Sequence, residues 1–324
     1  MITRLLCLYQ PMQPEGAISM NVQALIDALC TVVAIPVTPF VRRGSTITAD
    51  FQAYAYLLDK MVSAGITVVT PNGNTGEFYS LTQAEMCLSL EATVAGARGR
   101  ALILAGVGFD TATAIDMAQF AASQGAQAVM VHQPVHPYRS DEGWVAYHKA
   151  IADAVPGLGI VPYVRDASIG ASALRRLAEE CPSLVGVKYA VGNPPLFAEI
   201  VQAVGRDRLA WICGIAESWA PFFRVGGARG FTSGLVNVAP AISLAMQHAL
   251  EQDDYGMAMQ LWHQIKPFED LRARRNNANN VSAVKEAMAQ LGLCEAAVRP
   301  PISELTDNER AEVRQILMRL GIAA

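Results

Sequence analysis

Lysine is an unusual residue to close an apolar run, and Lys188 closes Leu184-Val185-Gly186-Val187-Lys188. Strand alternation predicts Val185 and Val187 on one face, under covering helices, with Gly186 and Lys188 on the other. Burial would strip hydration from the ammonium, lower its pKa and leave a neutral, nucleophilic amine. Such an amine condenses with a carbonyl carbon to give a Schiff base. The competing reading is a structural lysine paired with a carboxylate, or one that reaches solvent just past the strand end.

Tyr163 ends the preceding apolar run, Leu158–Tyr163. Neighbouring strands lie about 4.8 Å apart, so the two side chains can share a site. A phenol there can pass protons to and from a carbinolamine; packing with a single hydrogen bond is the plainer alternative. Pro71-Asn72-Gly73-Asn74-Thr75-Gly76-Glu77 is rich in turn residues. Backbone N–H groups around Asn74, Thr75 and Gly76 could converge on a carboxylate, although an ordinary polar turn fits equally well. No Walker lysine accompanies the loop, which argues against a nucleotide phosphate site. Lesser candidates are His132, His136 and Tyr138 in one loop, Ser233 at the end of the last apolar run, and Glu217.

These residues need a scaffold, and the order of segments supplies one. Eight Val/Ile-rich runs alternate with stretches of helical periodicity: Thr31–Ile35, Ile66–Thr70, Ala101–Ala105, Ala126–Val131, Leu158–Tyr163, Leu184–Lys188, Leu209–Cys213 and Gly230–Ser233. Eight such repeats predict a closed (β/α)8 TIM barrel, with Lys188 and Tyr163 at the C-terminal strand ends where barrel active sites lie. Thr82-Gln83-Ala84-Glu85 reads as a capping box, and Thr48–Ala64, Thr111–Ser123 and Ser172–Glu180 as helices with polar starts. Residues 1–20 fit no element and are expected to stay outside the fold. The barrel is expected over residues 21–252, with a C-terminal helical region over 253–324 packed on it, since no Ser/Gly/Pro-rich linker intervenes.

Composition narrows the function. Hydrophobic residues make up 52% of the 324 and charged residues 17%, enough for a large core. A net charge of −4 gives no reason to expect nucleic acid or an anionic membrane surface as a partner. No apolar run approaches a bilayer-spanning length. The six cysteines are scattered, with no C-x-x-C pair and no histidine at metal-ligand spacing, so neither a metal nor a disulfide is expected and a reducing cytoplasm fits best.

Pro36-Val37-Thr38-Pro39-Phe40, Gly73-Asn74-Thr75-Gly76-Glu77, Tyr163 and Gly186-Val187-Lys188 together resemble the dihydrodipicolinate synthase/N-acetylneuraminate lyase family of class I lyases. The resemblance spans roughly residues 21–322. It implies a Schiff base between Lys188 and pyruvate or another 2-keto acid, proton transfer by Tyr163 and carboxylate binding by the Asn74–Gly76 loop. It further implies a homo-oligomer, a dimer or tetramer, and no organic cofactor. Departures point away from the synthase branch. Asn74-Thr75 stands where synthases carry Thr-Thr, Val135 and His136 where they carry a tyrosine pair, and Ser168 where their second-substrate arginine falls. Tyr163-Val164-Arg165-Asp166 is similar instead to the Tyr-Asn-Arg-Asp of sugar-acid dehydratases. On that branch Arg165, Ser233 and His136 are expected to contact a 2-keto-3-deoxy sugar acid. Condensation of pyruvate with an aldehyde, or a silent keto-acid-binding regulator, are the alternatives.

Overall fold

The structure, a computed structural model, describes residues 21–322. The N-terminal segment expected to stand apart, residues 1–20, lies outside the described residues. Eight parallel strands close a barrel: β1 (Val32–Ala34), β4 (Val68–Val69), β5 (Leu102–Val107), β6 (Ala128–Val131), β7 (Gly159–Val164), β8 (Gly186–Tyr189), β9 (Ala210–Cys213) and β10 (Gly230–Ser233). Each expected run overlaps one of them. The covering helices are α2 (Phe51–Ser63), α3 (Gln83–Ala97), α4 (Thr111–Ser123), α5 (Asp141–Ala154), α6 (Ala171–Glu180), α7 (Pro194–Val204), α8 (Ala220–Val225) and α9 (Pro240–Glu251).

Side chains inside the barrel form a core of their own. Val33, Val68, Leu104, Met130, Val161 and Ile212 fill it, and Ile26 of α1 (Val22–Ala28) with Leu29 closes the N-terminal mouth. A second apolar layer lies between strands and helices and holds Val187, Tyr189, Trp211 and Phe231.

Two local readings need correction. Val185 does not share a face with Val187; it joins the interior core, because regular pairing of β8 begins only at Gly186. Lys188 still faces inward, since the alternation holds from Gly186 onward. Thr48 does not start a helix. It belongs to a hairpin of β2 (Phe40–Arg43) and β3 (Thr46–Ala49), joined through Gly44-Ser45 with Gly44 at φ 61°. Glycine reaches that left-handed conformation without a Cβ penalty. Helix α2 begins after the hairpin, where Asp50 caps Ala53 N–H at 2.9 Å. The Thr82–Glu85 capping box is present as expected, whereas α6 starts at Ala171 with no side-chain cap.

Three further helices follow the barrel: α10 (Tyr255–Asn277), α11 (Ser282–Gln290) and α12 (Asp307–Arg319). They are bound to the C-terminal end of the barrel by a buried ion pair. Lys285 Nζ of α11 donates to Glu77 Oε1 at 2.5 Å, and neither side chain is exposed. Lys285 donates again to Ala297 O at 2.9 Å and sits 3.8 Å from the centroid of the Phe40 ring. Glu77 Oε2 accepts from Arg299 N–H at 3.0 Å. Hairpin, β4 loop and C-terminal helices thus share one polar knot. Among the described residues no helix is long and apolar enough to cross a membrane.

Candidate active site

Lys188 is 4% exposed and paired in register with Tyr163 on β7 and Ile212 on β9. Its Nζ lies 3.8 Å from the centroid of the Tyr163 ring and 3.6 Å from Met130 Sδ. Among the described residues no carboxylate stands against it. Burial, with the nearby Arg165 charge as a second cause, lowers the Lys188 pKa from 10.5 to about 7. A substantial fraction is therefore the free amine at neutral pH. Room for the side chain comes from Gly214, where an added Cβ would lie 3.0 Å from Lys188 Cγ and 2.9 Å from Ala190 Cβ.

Lys188 and Tyr163 line a cavity of about 210 Å³ at the C-terminal end of the barrel, together with Asn74, Thr75, Arg165 and Thr232. Burial raises the pKa of Tyr163; the Arg165 charge and a hydrogen bond from Asn74 oppose the rise. The phenol is thus a proton donor whose anion has stabilising neighbours. Asn74 and Thr75 open a 3₁₀ turn, with Asn74 Oδ1 buried and unpartnered. Arg165 stands at the exposed rim, its guanidinium 5.9 Å from the Tyr163 ring centroid. Asp166 pairs with Arg139 rather than with Arg165.

A wall of the cavity comes from the C-terminal region. Glu269, Arg272, Ala273 and, past a kink, Asn277 line it from α10, and Asn280 from the turn that follows. Arg275, Asn276 and Asn277 all adopt left-handed φ angles of 51°, 56° and 67°. The turn is held from α12, where Glu309 accepts from Asn279 Nδ2 at 2.8 Å and pairs with Arg275 at 3.2 Å. Glu217 lies behind this wall, fully buried, accepting from the hydroxyls of Ser233 and Ser243. Burial first, then the Glu269 charge, pushes its pKa up to about 7.

Lys188, Tyr163, Asn74, Thr75 and Arg165 are therefore brought together, and three expected contacts are not. Gly76 is buried outside the cavity: its N–H donates to Gly73 O at 3.0 Å and its C=O accepts from Thr38 Oγ1 at 2.7 Å. Ser233 faces the helical layer, bonded to Glu217 and Ser243, because alternation on β10 sends Thr232 inward instead. His136 lies in an exposed loop with Nδ1 engaged by Tyr138 O at 2.7 Å, and Tyr138 is 83% exposed. His132 is buried beneath the site, stacked 4.0 Å from Phe78 with Nε2 2.8 Å from Asn72 O. Burial depresses its pKa to about 3, so it stays neutral and supports the wall behind Tyr163. Sequence reasoning missed Thr232, Arg272, Asn277 and Asn280; only the one-residue alternation could have signalled Thr232.

Known proteins similar to this chain fall into one group. A probable 5-dehydro-4-deoxyglucarate dehydratase of Bradyrhizobium diazoefficiens is 31% identical over 292 residues, covering 89% of this chain and 91% of the relative. A protein of the same name from Bacillus subtilis is 32% identical, covering 88% and 92%. Among solved structures, dihydrodipicolinate synthases from Oceanobacillus iheyensis and Bacillus clausii superpose with TM-scores of 0.88 and 0.88, at 39% and 41% identity. They cover 93% and 92% of this chain and 99% of each structure. The family model of the dihydrodipicolinate synthetase family matches residues 28–320, and with barrel, lysine and tyrosine in place the chain belongs to that family.

Proposed function

We propose that the protein is a Schiff-base lyase that dehydrates a 2-keto-3-deoxy sugar acid. The observation that carries the reading is a carboxylate-free, buried Lys188 amine against the Tyr163 ring, in a chain similar along most of its length to sugar-acid dehydratases. The neutral amine attacks the C2 carbonyl, and Tyr163 protonates the carbinolamine oxygen, which leaves as water. The resulting iminium draws electrons from C3, so the Tyr163 phenolate can remove a C3 proton, with Arg165 and Asn74 stabilising the anion until then. Expulsion of the C4 hydroxyl with a proton releases a second water; in a six-carbon dicarboxylic substrate the conjugated imine then takes up the C5–C6 bond electrons as the remote carboxylate leaves as CO2, and protonation and hydrolysis give 2-oxoglutarate semialdehyde and restore Lys188. Asn74 and Thr75 hold the carboxylate next to the carbonyl. We place the enzyme in the cytoplasm as a homo-oligomer that acts on a small acid and needs no organic cofactor.

The synthase structures at 39% and 41% identity favour a second reading, condensation of pyruvate with an aldehyde. Against it stand the replacements at Val135, His136 and Ser168, which leave no tyrosine pair and no arginine for a second substrate. Borohydride added with pyruvate or a 2-keto-3-deoxy sugar acid tests the chemistry: one covalent adduct per chain is expected on Lys188. An adduct that survives in Lys188→Ala, or none in the wild type, removes the Schiff base. Parallel assays of pyruvate release, 2-oxoglutarate semialdehyde release and aspartate semialdehyde condensation then separate cleavage, dehydration and synthesis.

A further inference from the structure

We infer that Arg272 binds the substrate carboxylate remote from the reacting carbonyl, so that the site selects dicarboxylic 2-keto-3-deoxy sugar acids. The inference rests on the Schiff-base reading above and names the substrate class of that same cavity. Arg272 is 5% exposed yet lines the cavity. Its Nη1 donates to Glu269 Oε1 at 2.6 Å, its Nη2 to Asn280 Oδ1 at 2.7 Å and its Nε to Asn280 O at 3.3 Å. A guanidinium has five N–H donors, so two remain for a ligand. The contacts also fix the rotamer, so little freedom is lost when a ligand binds.

Gly234 brings the guanidinium edge to the cavity. A Cβ at that position would lie 2.6 Å from Arg272 Nη2 and 3.4 Å from Thr75 Cγ2. Only the missing side chain lets Arg272 approach the backbone beside Thr75, on the same cavity surface as Lys188. Two carboxylates, Glu269 and Glu217, neighbour this arginine, but Glu217 is largely protonated below about pH 7 and adds little competing charge there. An arginine fork can give a carboxylate two parallel hydrogen bonds, and Asn277 and Asn280 provide amides for the intervening hydroxyls. Arg165 is placed for another task. It lies at the rim, and its charge lowers the Lys188 pKa and favours the Tyr163 phenolate, which serves every substrate alike.

The test compares a six-carbon dicarboxylic 2-keto-3-deoxy sugar acid with the acid in which a hydroxymethyl group replaces the remote carboxylate. Arg272→Ala should lower the kcat/KM preference for the dicarboxylate by roughly 10–100-fold, the range for a hydrogen bond to a charged group. Arg165→Ala should slow both substrates alike. Gly234→Ala keeps the arginine but displaces its edge, and should move the preference in the same direction; it decides the matter alone if Arg272→Ala does not fold. Borohydride trapping of pyruvate is run on every variant. An unchanged preference with trapping intact overturns the Arg272 subsite and leaves the Schiff base standing, as does a preference lost in Arg165→Ala instead. Failure of trapping in the wild type overturns the Schiff-base reading itself.

Discussion

Lys188 and Tyr163 are register partners on adjacent strands, with the lysine amine 3.8 Å from the centroid of the phenol ring. The amine meets the ring's π face and, at 3.6 Å, the Met130 thioether sulfur, and neither compensates for lost hydration as a carboxylate would. Parallel pairing fixes the partnership through the backbone. The site is therefore preorganised by strand register rather than by a loop.

The first prediction concerns pH. With Lys188 titrating at about 7, the rate of pyruvate imine formation should climb up to tenfold per pH unit below that value and level off above it. Arg165→Ala removes a neighbouring positive charge, so the midpoint should move up. Single-turnover trapping across pH measures both; a rate that keeps rising to pH 10 would mean an ordinary lysine.

Removing Lys188 should cost activity and gain stability. Because the folded pKa of Lys188 is lowered, the unfolded chain binds more protons between about pH 7 and 10.5, and wild-type stability rises with pH across that window. Below it the full penalty applies. Lys188→Met should abolish turnover yet raise stability at neutral pH by a few kcal/mol, of the order set by about 1.4 kcal/mol per pKa unit. Urea titrations at pH 7 and 10 should show the gain shrinking at the higher pH. A destabilised variant at pH 7 would contradict the assignment of a desolvated ammonium.

Removing the Tyr163 hydroxyl alone should leave the imine detectable. Tyr163→Phe is expected to slow turnover by roughly 10²–10⁴-fold, the usual contribution of a general acid/base. Its melting temperature should change little, because the hydroxyl contributes little packing. Wild-type turnover in this variant would exclude Tyr163 from proton transfer.

Glu217 sets a second pH dependence. Its carboxyl faces Glu269 and Arg272, the Ser233 and Ser243 hydroxyls and the Cys213 thiol. As it ionises through about pH 7, negative charge accumulates behind Arg272. KM for the dicarboxylic substrate should therefore rise between about pH 6 and 8 while the monocarboxylic analogue changes less, and Glu217→Gln should flatten the difference. Parallel KM–pH profiles for both substrates would expose the idea if they moved together.

The Lys285–Glu77 pair makes the last prediction. Lys285→Ala leaves a buried carboxylate without its cation, which typically costs about 3–5 kcal/mol. Glu77→Gln with Lys285→Met should recover much of that loss. Denaturant unfolding of the single and double variants measures the coupling, and additive losses would show that the two residues act independently.

Much of this was legible in the sequence because barrel strands are short, apolar and bounded. Lys188 and Tyr163 stood out as polar groups that end such runs. The β2–β3 hairpin was missed although Gly44-Ser45 and the β-branched run Thr46-Ile47-Thr48 signal it, since polar residues before α2 also resemble a helix start. Ser233 was named where Thr232 lines the cavity, and in a strand one residue reverses the face. Arg272 could not be found this way. Nothing in the local pattern of α10 shows that its helix docks over the mouth of the barrel, and the arginine gains meaning only beside Gly234 and Asn280.

That wall divides the gene's labour in an unusual place. The cavity residues to which we assign the chemistry are encoded between Asn74 and Lys188, whereas the wall that faces them begins at Glu269. On our reading, substrate preference can then drift, or be engineered, by exchanging the segment from Tyr255 onward while the strands that carry Tyr163 and Lys188 are kept intact. Glu77 and Lys285 are a coupling such a graft must carry with it, because their buried ion pair seats the exchanged segment on the loop after β4.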